Sequence, residues 1–325
     1  MINRRSLLQA AGLGTVLAPW TTHGAEATTQ LILLGTQGGP NFKLQRGETA
    51  SLLVINGEPY LIDCGYGTLR ALLQSGVSYL GVGHIFLTHL HDDHNADLPA
   101  LLSHQWTQGR VLPTMVYGPY GTDTLVQAAN LYNQANTDIR LEDEARTVQP
   151  RDLFSGTVIP AQASPVLVLQ NSGVKVSAVE NTHYPEAAKQ HMQHRALSYR
   201  FDAAERRVVF SGDTAYSNNL VALARGADVL VSEAMEIDAF RQRFEQMVAS
   251  GNYADNPEGI WAHIVGTHTS TSDAGRMASA AGVKTLVLNH LIPGGLGGLP
   301  DEAYIRSARE HFAGEIIVGR DQLVL

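Results

Sequence analysis

Apolar residues along the chain gather in short runs separated by glycine-containing turns and by a few segments of helical spacing. TQLILLGT (Thr29–Thr36) reads as a strand entering a Gly-rich turn. ASLLVINGEPYLIDCG then predicts two strands joined at Asn56-Gly57, a dipeptide suited to the positive backbone angles of a tight hairpin. In GTLRALLQSGV, Leu69, Leu72 and Leu73 recur at helical spacing and Gly76 stops the helix. HIFLTH follows as a further buried strand.

The second half repeats this plan. RALSYRFDAAERRVVFSGDTAYSNNLVALARG predicts two strands, a turn and a helix closed by Gly226, with FSGDTAYS standing where the first half has IDCGYGTL. The chain thus divides near residue 165 into two related halves packed as one domain over residues 28–325. DVLVSE and KTLVLNH flank the helix SDAGRMASAAG, which implies parallel pairing through a right-handed crossover. EIIVG and QLVL close the chain as short strands.

The polar residues fall on one edge of this layout. His89 and His91 sit where HIFLTH ends, His183 follows VKVSAVE, and Asp213 follows RVVFSG. Glu233 ends DVLVSE and His290 ends KTLVLNH. All lie at the carboxyl ends of predicted strands, where open α/β sheets gather their sites. The densest point is FLTHLHDDHNADLP (Phe86–Pro99), with three histidines and two aspartates within six residues. Imidazoles and carboxylates are the usual zinc ligands at catalytic sites. His89 and His91 can reach one metal from a single loop, while Asp93 and His94 can turn toward a second. Two neighbouring ions need further imidazoles and a shared carboxylate; His183, Asp213 and His290 fit those roles. His84, His104, His191, His194, His263 and His311 read as structural or solvent-facing.

Together these motifs resemble the metallo-β-lactamase superfamily. Its signature His-x-His-x-Asp-His corresponds to His89-Leu90-His91-Asp92-Asp93-His94. LLGTQGGP, DCGYGT, LTHLHDDH, SGDT, SEAM, HTST and LNHLIP come in the order seen in ribonuclease Z and the secreted arylsulfatases. The resemblance implies an α/β fold, a four-layer αββα sandwich with the site at one edge of two sheets. It implies one zinc on His89, His91 and His183, another on Asp93, His94 and His290, and Asp213 as the bridge. Asp63 in IDCG would support the metal loop through hydrogen bonds. His268 in GTHTST and Glu233 in VSEAM match a histidine–glutamate pair beside the metals, so Asp93, His268 and Glu233 are the candidate catalytic residues. Relatives often read HEAT where this chain reads SEAM, so Ser232 and Met235 argue against RNA processing. The implied activity is hydrolysis of small sulfate or phosphate esters and diesters by hydroxide made available at two Zn2+, with Mn2+ or iron as alternative metals. A lactonase or β-lactamase is one alternative, its β-lactamase form the weaker because no Cys stands at a ligand position and Asp213 fills the bridging role. An iron-loaded oxidoreductase on the same fold is another.

Composition narrows the setting. The 325 residues are 44% hydrophobic and 17% charged, an ordinary globular balance. A net charge of −8 argues against a large nucleic-acid footprint, so the partner expected is a small ester, with no nucleic acid; a homodimer is compatible. MINRRSLLQAAGLGTVLAPW carries Arg4-Arg5 and a short apolar stretch, and Ala25–Ala27 offers a small-residue cleavage site. Residues 1–27 therefore read as a signal peptide of the twin-arginine type, which leaves no membrane anchor and directs the protein to the periplasm or beyond. Cys64, the single cysteine, reads as a small buried residue. DAFRQRFEQMVASGNYADNPEGIWAH (residues 238–263) mixes Phe240, Phe244, Tyr253 and Trp261 with Gly and Pro. It reads as a lid over a small ligand or, equally, as a packing helix pair.

Overall fold

The computed structural model describes residues 28–39, 43–251, 256–294 and 299–325. The predicted signal segment and Tyr253 lie outside them. The first half supplies β1 (Thr29–Gly35), β2 (Ala50–Ile55), β3 (Glu58–Ile62), β4 (His84–Phe86), β5 (Thr114–Gly118) and β6 (Phe154–Val158). The second supplies β7 (Val166–Gln170), β8 (Val174–Glu180), β9 (Leu197–Ala203), β10 (Arg207–Phe210), β11 (Val229–Met235), β12 (Thr285–Ile292) and β13 (Glu315–Val318). A last strand, β14 (Leu323–Val324), leaves the second half and pairs antiparallel with β1, Ile32 opposite Val324. The two sheets run β14-β1-β2-β3-β4-β5-β6 and β13-β12-β11-β10-β9-β8-β7. Each half therefore builds one sheet, and the closing strand ties the second half back to the first.

Side-chain alternation along the strands creates the layers. Leu31 and Leu33 point between the sheets, into one cluster with Phe86, Tyr199, Phe201 and Val231, while Ile32 and Leu34 pack on the opposite face with Leu72, Leu101 and Trp106. In β12, Val287 joins the inner cluster whereas Leu286 and Leu288 meet Leu220, Met277 and Ala278 of the outer helices. Strands buried on both faces read as unbroken apolar runs, which is why LILL and TLVL lack alternation. The result is the αββα sandwich. At the β2–β3 hairpin, Asn56 (φ 52°) and Gly57 (φ 86°) take the positive angles that the tight turn requires.

Two local expectations need correction. In the helix Thr68–Gln74, Leu73 is 61% exposed, and Thr68, Ala71 and Leu72 form the buried face instead. Leu69 and Leu73 share a flank about 100° away from that face. Strand β11 also runs two residues past Glu233, so this carboxylate lies inside the strand rather than at its end.

Candidate metal centre

The metal-capable residues converge because several backbones are bent to aim them. Asp63, at φ 58°, sits just past β3 and accepts hydrogen bonds from Thr88 N (2.8 Å), Thr88 Oγ1 (2.9 Å) and His94 Nδ1 (2.9 Å). One buried carboxylate thus pins both ends of the loop from Thr88 to His94. Past β10, Gly212 (φ 59°) passes so close to Thr88 and the Leu197 carbonyl that a Cβ would lie 2.8–2.9 Å from them. This tight crossing brings Asp213 against the first-half loop. His290 is delivered by a bulge: Glu233 pairs with Asn289 but Ala234 with Leu291, so His290 is the extra residue, at φ 42°. Bulges beside sites re-aim one side chain in this way, at some cost in backbone strain.

Seven side chains from both halves meet there in two clusters. In the first, His91 Nδ1 lies 3.1 Å from His89 Nε2 and 3.3 Å from His183 Nε2. In the second, His94 Nε2 is 3.2 Å from Asp213 Oδ1 and 3.5 Å from Asp93 Oδ2, and His290 Nε2 is 3.2 Å from both Asp93 Oδ2 and Asp213 Oδ2. A tetrahedral ion with bonds near 2.0–2.1 Å sets its ligand atoms about 3.3 Å apart, so these spacings suit a metal. The buried His94 Nε2 and Asp213 Oδ1 make no aligned hydrogen bond despite their closeness, a spacing that suits a third atom held between them. The far ring nitrogens are occupied. His94 Nδ1 donates to Asp63, His183 Nδ1 to the Thr267 carbonyl (3.1 Å), and His89 Nδ1 to Thr88 Oγ1 (3.1 Å). Each turns Nε2 toward the shared centre, free as a lone pair on His89 and His183 and available on His94 once its proton leaves. The donor set fits metal binding on these grounds.

Electrostatics separates the clusters. Burial pushes His89 well below the usual imidazole value and His183 down to about 3, so the first cluster is neutral and ready to ligate. In the second, burial opposes charge, but Asp213 and Asp93 outweigh it. They hold His94 well above its ordinary value and His290 up at about 10. Against the same burial, these two imidazoliums keep Asp93 and Asp213 below the usual carboxylate range. Without a metal, protons on His94 and His290 balance the buried carboxylates.

Beside both clusters, Glu233 Oε2 accepts from His268 Nδ1 (2.7 Å), and its Oε1 accepts from Thr214 N and Thr269 N. Burial alone would lower His268, but the neighbouring Glu233 and then Asp213 keep it raised; burial in turn raises Glu233, and the charge on His268 opposes that rise. The HTST segment has a second role, since Ser270 caps the helix Thr271–Ala281 by accepting from Asp273 N. Two helices, Ile237–Ala249 and Pro257–Thr267, wall a cleft of ≈ 320 Å³ over the clusters. Of the three described aromatics Phe240, Phe244 and Trp261, Phe240 alone lines this cleft; Phe244 and Trp261 pack between the helices, with Trp261 stacked on Phe240 at 6.1 Å.

Two residues near the site escaped the sequence reading. Tyr184 packs edge-on against His91 and tilted against His183, and His263 faces the cleft. The i, i+5 spacing of His263 and His268 was the available signal, but it crosses a helix end and fits no periodicity. His191 lines a separate surface pocket with Lys189 and Arg195.

A sandwich of two sheets with imidazoles and carboxylates gathered at one edge defines a class of metallohydrolase. The chain belongs to the β-lactamase superfamily: the model of the Beta-lactamase superfamily domain matches residues 59–291. Ribonuclease Z of Mycobacterium avium (strain 104) is 30% identical over 297 residues, covering 90% of this chain and 96% of its own length. The enzyme of the same name from Mycobacterium bovis (strain BCG / Pasteur 1173P2) is 29% identical with the same coverage. Among solved structures, a metallo-β-lactamase fold protein from Bacillus subtilis aligns with a TM-score of 0.64 at 19% identity, over 91% of this chain and 98% of its own. The short form of human tRNase Z aligns at 0.62 with 21% identity, again over 91% and 98%. The protein is a metal-dependent hydrolase acting on ester bonds.

These relatives overturn the expectation of no nucleic acid, because they are ribonucleases matched along nine-tenths of the chain. The net charge of −8 is a sum over the whole surface, whereas a phosphodiester meets only the local field of a cleft.

Proposed function

We propose that this protein hydrolyses phosphodiesters, ribonucleotide diesters among them, at the shared edge of its two sheets. Two divalent ions would be held, one by His89, His91 and His183, the other by Asp93, His94 and His290, with Asp213 between. The observation that carries this reading is a pair of ligand clusters sharing one carboxylate, set beside the His268–Glu233 pair. Bound there, such ions lower the pKa of water toward neutrality and offset charge on phosphoryl oxygens. Imidazole-rich coordination favours zinc.

The remaining work belongs to the chain. Asp63 and Thr88 fix the ligand loop so that the ligand atoms are preorganised. Glu233 orients His268 and maintains its proton, which is available to the departing alkoxide oxygen. Phe240, Ile260 and Ile264 form an apolar wall that keeps bulk water off the reacting groups. The signal read in residues 1–27 supports an activity outside the cytoplasm; fractionation of cells expressing the full chain, with Arg4 and Arg5 replaced by Lys as control, tests that location.

The activity is tested on zinc-loaded protein with bis(p-nitrophenyl) phosphate, an aryl sulfate, a chromogenic cephalosporin and a lactone in parallel. The diester is expected to turn over fastest. Inertness toward it combined with rapid lactam, lactone or sulfate hydrolysis overturns the reading.

A further inference from the structure

Besides the two ligand clusters, a third group of imidazoles lies at the cleft: one nitrogen each from His183, His263 and His268 fall within 4.8 Å of one another. This group is not a further metal site. His183 turns Nε2 toward His91 and commits Nδ1 to the Thr267 carbonyl, so it has no nitrogen left for another ion. The unassigned member is His263. It is the one polar side chain that the helix Pro257–Thr267 contributes to the cleft, between the apolar Ile260 and Ile264. Its ring stands 6.1 Å from His268, 5.8 Å from His183 and 6.4 Å from His91, centre to centre.

Its hydrogen bonds set its chemistry. Thr267 Oγ1 donates its only proton to the His263 carbonyl (2.8 Å) and also lies 3.4 Å from His263 Nδ1. At that second contact the ring must be the donor, which leaves Nε2 of the neutral imidazole as an acceptor. An acceptor next to the group that serves the leaving oxygen calls for a donor on the substrate beside that oxygen. In a ribonucleotide diester that is cleaved with departure of its 3′-oxygen, the 2′-hydroxyl is vicinal to that leaving atom, and in a deoxyribonucleotide it is missing.

Resting on the phosphodiesterase reading, we propose that His263 is a specificity-determining residue that accepts a hydrogen bond from the hydroxyl next to the scissile ester and so favours ribose over deoxyribose substrates. The test compares a ribodinucleoside monophosphate with its analogue lacking the 2′-hydroxyl beside the leaving 3′-oxygen. Zinc-loaded wild type is expected to prefer the ribose form by about tenfold or more in kcat/KM. His263→Ala should bring the ratio near one, and His263→Gln, which retains an acceptor, should restore part of it. Metal content by mass spectrometry checks that both variants stay loaded. Equal losses on both substrates mark a structural role for His263 and overturn the proposal, as does the lack of any ribose preference in wild type. Should bis(p-nitrophenyl) phosphate and both dinucleotides all resist hydrolysis, the phosphodiesterase reading fails separately. Calorimetric binding of uridine against 2′-deoxyuridine to the wild type and His263→Ala then decides the hydroxyl contact alone: equal affinities in wild type overturn it.

Discussion

The two ligand clusters share one carboxylate yet solve opposite problems. His89, His91 and His183 bring no negative charge, and burial keeps them neutral, so an ion entering there meets three free lone pairs. Asp93, His94, Asp213 and His290 bring two buried carboxylates, and the protein protonates its own imidazoles to balance them. The first cluster is a cage of lone pairs, and the second is a charge vacancy temporarily filled by protons. Asp213 reaches both, with Oδ1 3.2 Å from His94 and Oδ2 3.9 Å from His89.

Asp213 is therefore where the comparison breaks most completely. Asp213→Ala should remove the shared ligand and leave His94 and His290 short of a counter-charge, costing several kcal/mol of transition-state stabilisation, about 10³–10⁴-fold in kcat/KM. Metal content by mass spectrometry should fall with it; an active variant with full metal occupancy would show that the clusters are independent. Next comes the proton donor placed against them. His268→Ala should lower kcat by about 10²–10⁴ with metal content retained. Glu233→Gln should lower it by less, about 10–100-fold, and narrow the pH range over which the enzyme works. Loss of metal in His268→Ala would instead make that histidine a ligand.

A third prediction sharpens the contrast. Loading the first cluster near pH 7 should release almost no protons, whereas loading the second should release roughly two, from His94 and His290. Calorimetric titration of metal-free protein in buffers of different ionisation enthalpy measures this. In His91→Ala, where the second cluster dominates binding, the release per ion should rise. Identical release per ion in wild type and His91→Ala would contradict the assignment of protons to one cluster only.

How much of this was legible follows the same division. The fold, the loop His89–His94 and its distant partners are written in local patterns: apolar runs, Asn56-Gly57, and polar residues just past strands. Those signals depend on neighbours in sequence, and the structure keeps them. Glu233 was misplaced at a strand end because the bulge at His290 shifts the register of two strands that lie more than fifty residues apart. His263 stayed hidden because its value comes from facing His268 across a helix end, a relation that no period encodes. The aromatics of 238–263 read equally as a wall over the ligand or as a packing helix pair; Phe244 and Trp261 hold two helices together, while Phe240 also lines the cleft. The charge balance misled about nucleic acid because it averages over a surface, while one cleft holds the chemistry.

The smallest effect concerns stability without metal, where the two clusters pull in opposite directions with pH. His290 has its imidazole raised to about 10 in the fold, against about 6.5 unfolded, so its protonated form is the stabilised one. That contribution is complete below pH 6.5 and drains away as pH rises through 10. His183 is lowered to about 3, so the fold favours its neutral form. Its contribution is complete above pH 6.5 and is lost as pH falls toward 3. Metal-free protein should therefore be most stable near pH 6.5, losing roughly 2 kcal/mol by pH 8 from the second cluster. Denaturant melts from pH 5 to 9 measure this dome. Zinc should flatten the alkaline limb, since a bound divalent ion takes over the charge balance that protons supplied and does not titrate away. A His290→Gln variant removes one of the two raised imidazoles, so its alkaline limb should become shallower without metal, His94 supplying what remains; a limb as steep as in wild type would trace the alkaline loss to some other residue.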